Sequence, residues 1–592
     1  MTSAPAGVVT ATATGGRPPA WSRLVDRHLD EYPDGARRYA FLAVVVASSI
    51  VLYYEQYVHG AVSPSVLAHF QISFRLYLTL VVISNAVGAL ASLLAGVADR
   101  WGRANLVVVG LLIAGLVTGF GIPAAPNSAV YALLLTVVAF VEGVVLVATP
   151  ALVRDFSPQM RRGTAMGLWT LGPVIGSLIV SEVASNTLDH LKAWQDQFHI
   201  AGITGLVVFA IALVGLRELS PQLRDQRMVS LRERTLVEAR ARGIDLSAAT
   251  RQPWRQMARA DILIPAFGVS VFLLIYYAAV GFFVIYFTSV FGYTQARANS
   301  LGNWFWAADA VAVVVAGILS DRIGVRKPIM IAGGVLAVVM TFVFASRATA
   351  STTSYTTFVV IISILSFSRG TAYAPWMASF TETVEAHNPA LVATGLAVWG
   401  WVLRLVVAVS FLILPAVVTS VTPVTEYGPT LQRIAAAYPQ QITTLRALDP
   451  ATRDALRADP GDRAAIVAAV GQISRAEHVS GSRAVQLLVG LRSMPQAERD
   501  YLNAHGAAVT AARASAPGQW RTWWWVCAAG QIVFLPTVFL LRGRWKRSSA
   551  RRDAARYEQM IDAELAELAG TGEPEGGATG PAPGVRPGLE PA

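Results

Sequence analysis

The sequence predicts an all-α membrane protein, with twelve transmembrane helices in two pseudo-symmetric six-helix halves and a helical extracytoplasmic insert before the last helix. Three observations predict this. The chain is apolar as a whole: of 592 residues, 54% are hydrophobic and only 14% charged, and the mean hydropathy is +0.49. Soluble domains carry about 25% charged residues. Its apolar residues fall in continuous runs of about 20, the length at which a helix crosses a bilayer. Finally, a charged turn that follows one run, GVADRWGR at 96–103, returns in looser form as GILSDRIGVRK at 317–327. The runs must be helical, because lipid cannot satisfy exposed backbone polar groups. Continuous runs also exclude the period-two pattern of a membrane barrel.

The spans are predicted in order at 39–67, 76–98, 106–122, 129–152, 164–183 and 200–216, then 262–290, 299–319, 329–345, 355–380, 391–418 and 520–541. This gives an N-terminal segment at 1–37, one half at 38–216, a polar Arg-rich loop at 217–261, and a second half at 262–541. The N-terminal segment lacks the apolar core of a secretory signal, so the first span is expected to act as its own insertion signal. The segment 423–518, with short helical runs punctuated by Asp and Pro, interrupts the second half as an insert with a thin core. The tail, 542–592, opens as a charged amphipathic helix and ends in a Gly- and Pro-rich stretch expected to be disordered.

Formal net charge is +11. In a soluble protein that excess would suggest nucleic acid. Here Arg100 and Arg103, Arg154 with Arg161 and Arg162, the 217–261 loop, Arg322 with Arg326 and Lys327, and Arg542 to Arg552 all fall on one side of the predicted membrane. Cytoplasmic loops carry such an excess, so both termini are expected in the cytoplasm, the insert outside it, and the cell membrane as the location. No nucleic-acid partner is expected. Trp523, Trp524 and Trp525 open the last span, where an aromatic belt at the outer interface is expected. His59 and His69 are expected near that interface. Cys527 is the single cysteine, so disulfides play no part, and neither a metal site nor a cofactor is expected.

The two halves correspond beyond the charged turns. Tyr53-Tyr54 matches Tyr276-Tyr277 at an offset of 223, Glu142-Gly143 matches Arg369-Gly370 at 227, and Thr164 and Trp169 match Thr394 and Trp399 at 230. A nearly constant offset across four spans indicates a duplicated six-helix unit. Membrane proteins built from such repeats bind their substrate near the midplane and rock one half against the other.

The charged turns resemble the signature of the major facilitator superfamily, Gly-x-x-x-Asp-Arg-x-Gly-Arg-Arg or Lys, between spans two and three and again between spans eight and nine. The second copy fits at Gly317, Asp321, Arg322, Gly324, Arg326 and Lys327, with its basic pair displaced by one residue. The first fits at Asp99, Arg100, Gly102 and Arg103 and departs at Ala95 and Ala104. The resemblance covers all twelve spans but not the insert or the tail. It implies that the turns latch the cytoplasmic side in the outward-open state; without it, their arginines are topology signals alone. RDFSPQMRRGTAMG at 154–167 and RELSPQLR at 217–224 resemble loops of the superfamily's metabolite and sugar:proton symporters. GPVIG at 172–176 partly resembles a motif of drug–proton antiporters, and is otherwise a packing kink.

Ionisable groups inside a membrane are costly and usually functional. Glu55 in span one, Glu142 in span four and Asp309 in span eight are the candidate proton-coupling residues, Glu55 first. A carboxylic acid withdrawn from water can exchange its proton near neutral pH. Arg369 in span ten and Arg404 in span eleven can clamp an anion, or neutralise Glu142 and Asp309. Tyr54, Tyr277, Trp399 and Trp401 can supply aromatic walls. The superfamily lines its cavity with spans one, four, seven and ten, which implies that Glu55, Glu142 and Arg369 meet. There is no phosphate-binding loop and no hydrolase or metalloprotease motif, so no enzymatic activity is expected. The expected function is proton-coupled symport of a small organic solute such as a carboxylate, by a monomer in the lipid bilayer. The alternatives are proton-coupled drug or metabolite efflux, and a non-transporting sensor or assembly protein on the same scaffold whose insert binds a protein partner.

Overall fold

A computed structural model describes residues 27–91, 102–156, 171–220, 253–350, 352–388 and 391–542, with scattered positions beyond them. Among the described residues, ten helices are long and apolar enough to cross a membrane: Gly35–Ala61, Phe74–Ala91, Arg103–Gly121, Ser128–Val153, Trp194–Gly215, Ala260–Phe291, Gln295–Ile323, Lys327–Arg347, Tyr355–His387 and Thr394–Val417. Two more complete the predicted twelve. Gly172–Thr187 is the described part of span five, and Gln496–Thr537 contains span twelve.

Helix contacts repeat between the halves. Span one packs on spans four, five and six, three on four and six, and two on four; in the second half seven packs on ten, eleven and twelve, nine on ten and twelve, and eight on ten. The halves meet through span five on span eight and span two on span eleven, which exchange under the same repeat. Two large apolar cores result, one centred in each half. The outer surface is also apolar, as in Leu133, Val207, Val214, Leu405 and Leu412, all more than half exposed. Only a hydrocarbon solvent makes such a surface stable.

Local chemistry sets the helix ends. Thr294 and Ser354 cap spans eight and ten by accepting the backbone N–H of Arg297 and Thr357. Span eight stops at Gly324, whose φ of 73° is the left-handed conformation that glycine adopts without steric cost. Gly102, at φ 88°, plays the matching part before span three.

Four expectations are corrected. The predicted first span, 39–67, breaks after Ala61 into a second short helix, Ser63–Phe70, with Pro64 in its first turn. Span seven is interrupted at Leu273. The helix of span twelve does not begin with the span: it runs from Gln496 to Thr537, so the predicted insert boundary at 518 lies inside one continuous helix. Finally, Trp523 and Trp524 are buried, Trp524 packing on Tyr286 and Phe344, and of the three only Trp525 is exposed. Consecutive helical residues point about 100° apart, so three in a row cannot all face one interface.

The insert is helical: Val421–Glu426, Gly428–Ala437, Pro439–Ala447, Pro450–Ala458, Arg463–Glu477 and Gly481–Gly490 precede the long helix. Its cores are small, one around Leu448, Ile473 and Leu487, the other around Ile434, Ile442 and Met494.

Candidate functional site

The seam between the halves is closed at the end opposite the charged turns. Gln295 Nε2 donates to Ser65 Oγ (2.6 Å) and Asn299 Nδ2 to the Ala61 carbonyl (3.0 Å). Asn303 Nδ2 donates to Glu182 Oε2 (2.5 Å) and Ser185 Oγ (3.0 Å). Below this closure lie the ionisable groups.

Asp309 and Arg369 form an ion pair between spans eight and ten, with side chains 0% and 2% exposed. The Arg369 guanidinium also stacks 4.7 Å from the centre of the Tyr276 ring. Asp309 lies against Gly370, where a Cβ would crowd its Oδ1 at 2.8 Å. Arg369 is therefore committed to Asp309 and does not pair with Glu142, its counterpart in the repeat. Two neighbouring helices of one half bring Asp309 closer to it than a residue across the seam.

Glu142 is 5% exposed. Within electrostatic range of it lie Arg404 of span eleven, in the opposite half, and Glu55 of its own half. Glu142 and Arg404 are not within ion-pair distance of each other. Arg404 is exposed, and Tyr53 and Tyr277 lie within electrostatic range of it as well. Tyr373 of span ten is close to Tyr53 and Tyr277. An acid, a base and three phenols thus converge from spans one, four, seven, ten and eleven.

Glu55 points elsewhere. It is 1% exposed, and its carboxylate is aimed at span six, where only the absence of a Cβ at Gly205 leaves it room. Neither oxygen has a hydrogen-bond partner among the described residues, and nor does the hydroxyl of adjacent Tyr54. Tyr54 belongs to the first-half core and not to the seam. Trp399 packs 5.7 Å from Trp376. Trp401 is 40% exposed on the stripe that carries Leu405, Val409 and Leu412, the apolar outer face. His59 is buried and bonded through Nδ1 to the Tyr77 hydroxyl (2.7 Å), not interfacial. Pro173 of GPVIG sits in the first turn of its helix, where its missing N–H costs nothing, and Gly172 and Gly176 let Tyr53 pack closely.

Around the charged turns, Asp99 and Arg100 lie outside the described residues, as do 157–168 and nearly all of 221–252. Arg103 pairs with Asp155 at the end of span four (2.8 Å), and its backbone N–H donates to Glu218 (2.9 Å). Arg326 pairs with Glu382 at the end of span ten (2.6 Å) and with Asp321 (3.2 Å). Gly317 lies within span eight, and Arg322 is exposed. Arg103 and Arg326 are 223 positions apart, Asp155 and Glu382 227. Sequence reasoning missed Asp155, Glu382, Tyr53 and Tyr373. The first two were recoverable, because they stand at the same offsets as pairs already recognised.

Comparison with known proteins agrees with this architecture. The Major Facilitator Superfamily model matches residues 45–409. A bacterial homologue of the human lysosomal transporter Spinster, in an inward-facing and occupied conformation, has the same fold at a TM-score of 0.53 and 15% identity, covering 85% of this chain and 98% of that one. The efflux pump radE of Floropilus chiversii is 27% identical over 180 residues, 29% of this chain and 33% of its own. The MFS transporter asaE of Aspergillus flavus is 29% identical over 147 residues, 23% of this chain and 33% of its own. The chain thus spans about a third of the length of these two relatives. The family model covers more than half of this multi-pass chain and agrees with its duplicated helix packing: the chain belongs to the Major Facilitator Superfamily.

Proposed function

We propose that this chain is a proton-coupled secondary transporter that carries a small organic carboxylate across the cell membrane, with both termini in the cytoplasm and the insert outside. The observation that carries the proposal is the pair Glu142 and Arg404, which lie within electrostatic range of each other from opposite halves and form no ion pair with each other. An ionised Glu142 competes with a substrate carboxylate for the field of Arg404. Protonating Glu142 removes the competitor, so proton and anion bind together, which is the linkage a symporter needs. Tyr53, Tyr277 and Tyr373 supply hydroxyl donors and ring faces for the organic part of the solute. Asp309 is neutralised by Arg369, so we assign that pair to holding spans eight and ten together. Glu55, turned toward span six, is the second proton site of this reading. The seam is built within one chain, so we propose a working monomer. The two charged turns take the part of cytoplasmic latches.

The test is thermal stability of the purified protein with a panel of carboxylates, sugars and cationic drugs, at about pH 5.5 and about pH 7.5. A ligand that binds only the folded state raises the melting temperature. Carboxylates should stabilise, more at the lower pH, and the effect should vanish in Arg404→Ala. In Glu142→Gln the carboxylate effect should persist and lose its pH dependence. Stabilisation by cationic drugs alone would support the second reading, efflux, which the name of the relative radE and the aromatic lining favour. Stabilisation by nothing on the panel, with proton flux absent in vesicles, would favour a non-transporting sensor.

A further inference from the structure

The insert has no part in the proton and anion sites, yet its first helix lies where the two halves meet. Val421–Glu426 follows span eleven directly. It packs on Ser63–Phe70 and on the start of span two, both in the first half, and on span seven and the long helix of span twelve, both in the second. Val421 is 1% exposed and lies in one apolar core with Leu67 and Phe74 of the first half and Phe411 and Trp520 of the second. On the second-half side the attachment is also polar. The Ser420 backbone N–H donates to Gln519 Oε1 (2.8 Å), and Gln519 Nε2 donates to Thr419 Oγ1 (3.0 Å), fixing the helix start to the helix of span twelve. The helix Ser63–Phe70 on which it packs carries one of the bonds that close the seam, Gln295 to Ser65, and the other, Asn299 to Ala61, ends on the residue that closes span one.

We infer that the helix Val421–Glu426 is a strap that holds the two halves together on this face and sets how often it opens. If this face is to open, the ends of spans one and two must part from those of spans seven and eight. A helix tied to the second half and buried against the first must then either leave its apolar contact or pull free of Gln519. Both events expose surface or break hydrogen bonds, so both oppose opening. The helices that follow, Gly428 to Gly490, continue from the strap and return through the long helix to span twelve, so whatever binds or deforms them acts on its seat. The inference concerns the face and not the transported solute, and it holds whichever solute the seam carries.

Single-cysteine labelling tests it. Cys527 is the single cysteine of the chain and is buried. In a Cys527→Ala background, Ser181→Cys places a thiol on span five against Gly302 of span eight, within the seam. A membrane-impermeant maleimide applied from the insert side of reconstituted vesicles reads the opening of that face. Val421→Ala should raise the labelling rate roughly tenfold, the effect expected from one to two methylene groups of burial lost. Gln519→Ala, a half-buried position whose loss cannot unfold a core, should raise it by a smaller factor. A Ser65→Cys, Gln295→Cys pair, oxidised to a disulfide, should suppress labelling in both. An unchanged rate in Val421→Ala and Gln519→Ala alike overturns the strap; a raised rate in Gln519→Ala alone, should Val421→Ala fail to fold, sustains it. Carboxylate binding measured in the same variants separates this result from the proposed function: failure of the strap leaves binding untouched, and failure of the carboxylate reading leaves the labelling result standing.

Discussion

The two halves share one scaffold and differ in their charges. In the second half, Asp309 and Arg369 neutralise each other across spans eight and ten. In the first, the position equivalent to Arg369 is Glu142, and it has no ion-pair partner among the described residues; the basic group within its electrostatic range, Arg404, lies across the seam. Glu55, deeper in the same half, lacks even a hydrogen bond among the described residues. The duplication kept the packing, since every main helix contact has its counterpart, but placed an internal bond in one half and an unspent charge in the other. A pair closed within one half cannot sense whether the halves have moved. A pair split between halves must.

The contrast between the halves has its largest expected consequence at Asp309. Asp309→Ala leaves Arg369 buried and unpaired and should cost about 3–5 kcal/mol. Thermal unfolding in detergent measures it, and a double replacement of Asp309 and Arg369 by apolar residues of similar size should recover most of the loss. If the single change is tolerated, the second half is not held by this bond. Next in size is the first-half turn. Asp155→Ala removes the partner of Arg103 where both side chains are nearly buried, 11% and 7% exposed, and should cost about 1–3 kcal/mol in the same assay. Glu55→Met takes away a buried, unsatisfied carboxyl group and should stabilise the fold by about 1 kcal/mol, while weakening the pH response of solute binding if Glu55 is a proton site. The smallest change belongs to the second-half turn. Glu382 is 42% exposed opposite Arg326, and Glu382→Gln should cost less than about 1 kcal/mol, as half-exposed pairs do. Equal losses at Asp155 and Glu382 would show that the two turns carry the same load despite their different exposure.

The membrane class, the twelve spans and the duplication can be read from the amino-acid order alone. These depend on local properties: run length against bilayer thickness, the placement of Arg, and residues recurring at a fixed offset. The charged turns, with glycines where the chain must take a positive φ, were legible for the same reason. The facing of side chains was not. A span that is apolar all round carries no periodic signal to say which side meets lipid, a neighbouring span or the seam. So Tyr53 and Tyr54, or Trp399 and Trp401, could not be told apart by pattern, and only the packed structure turned Tyr53 to the seam, Tyr54 to the core and Trp401 outward. Ion pairing was likewise a tertiary decision. Three acids and two arginines allow several pairings on charge alone, and the short approach of spans eight and ten selected Asp309 with Arg369 and left Glu142 to face Arg404. The insert gave the clearest division. Its helices were readable from Asp and Pro punctuation, but its seat across both halves depends on contacts between residues more than 300 positions apart, which no local pattern records.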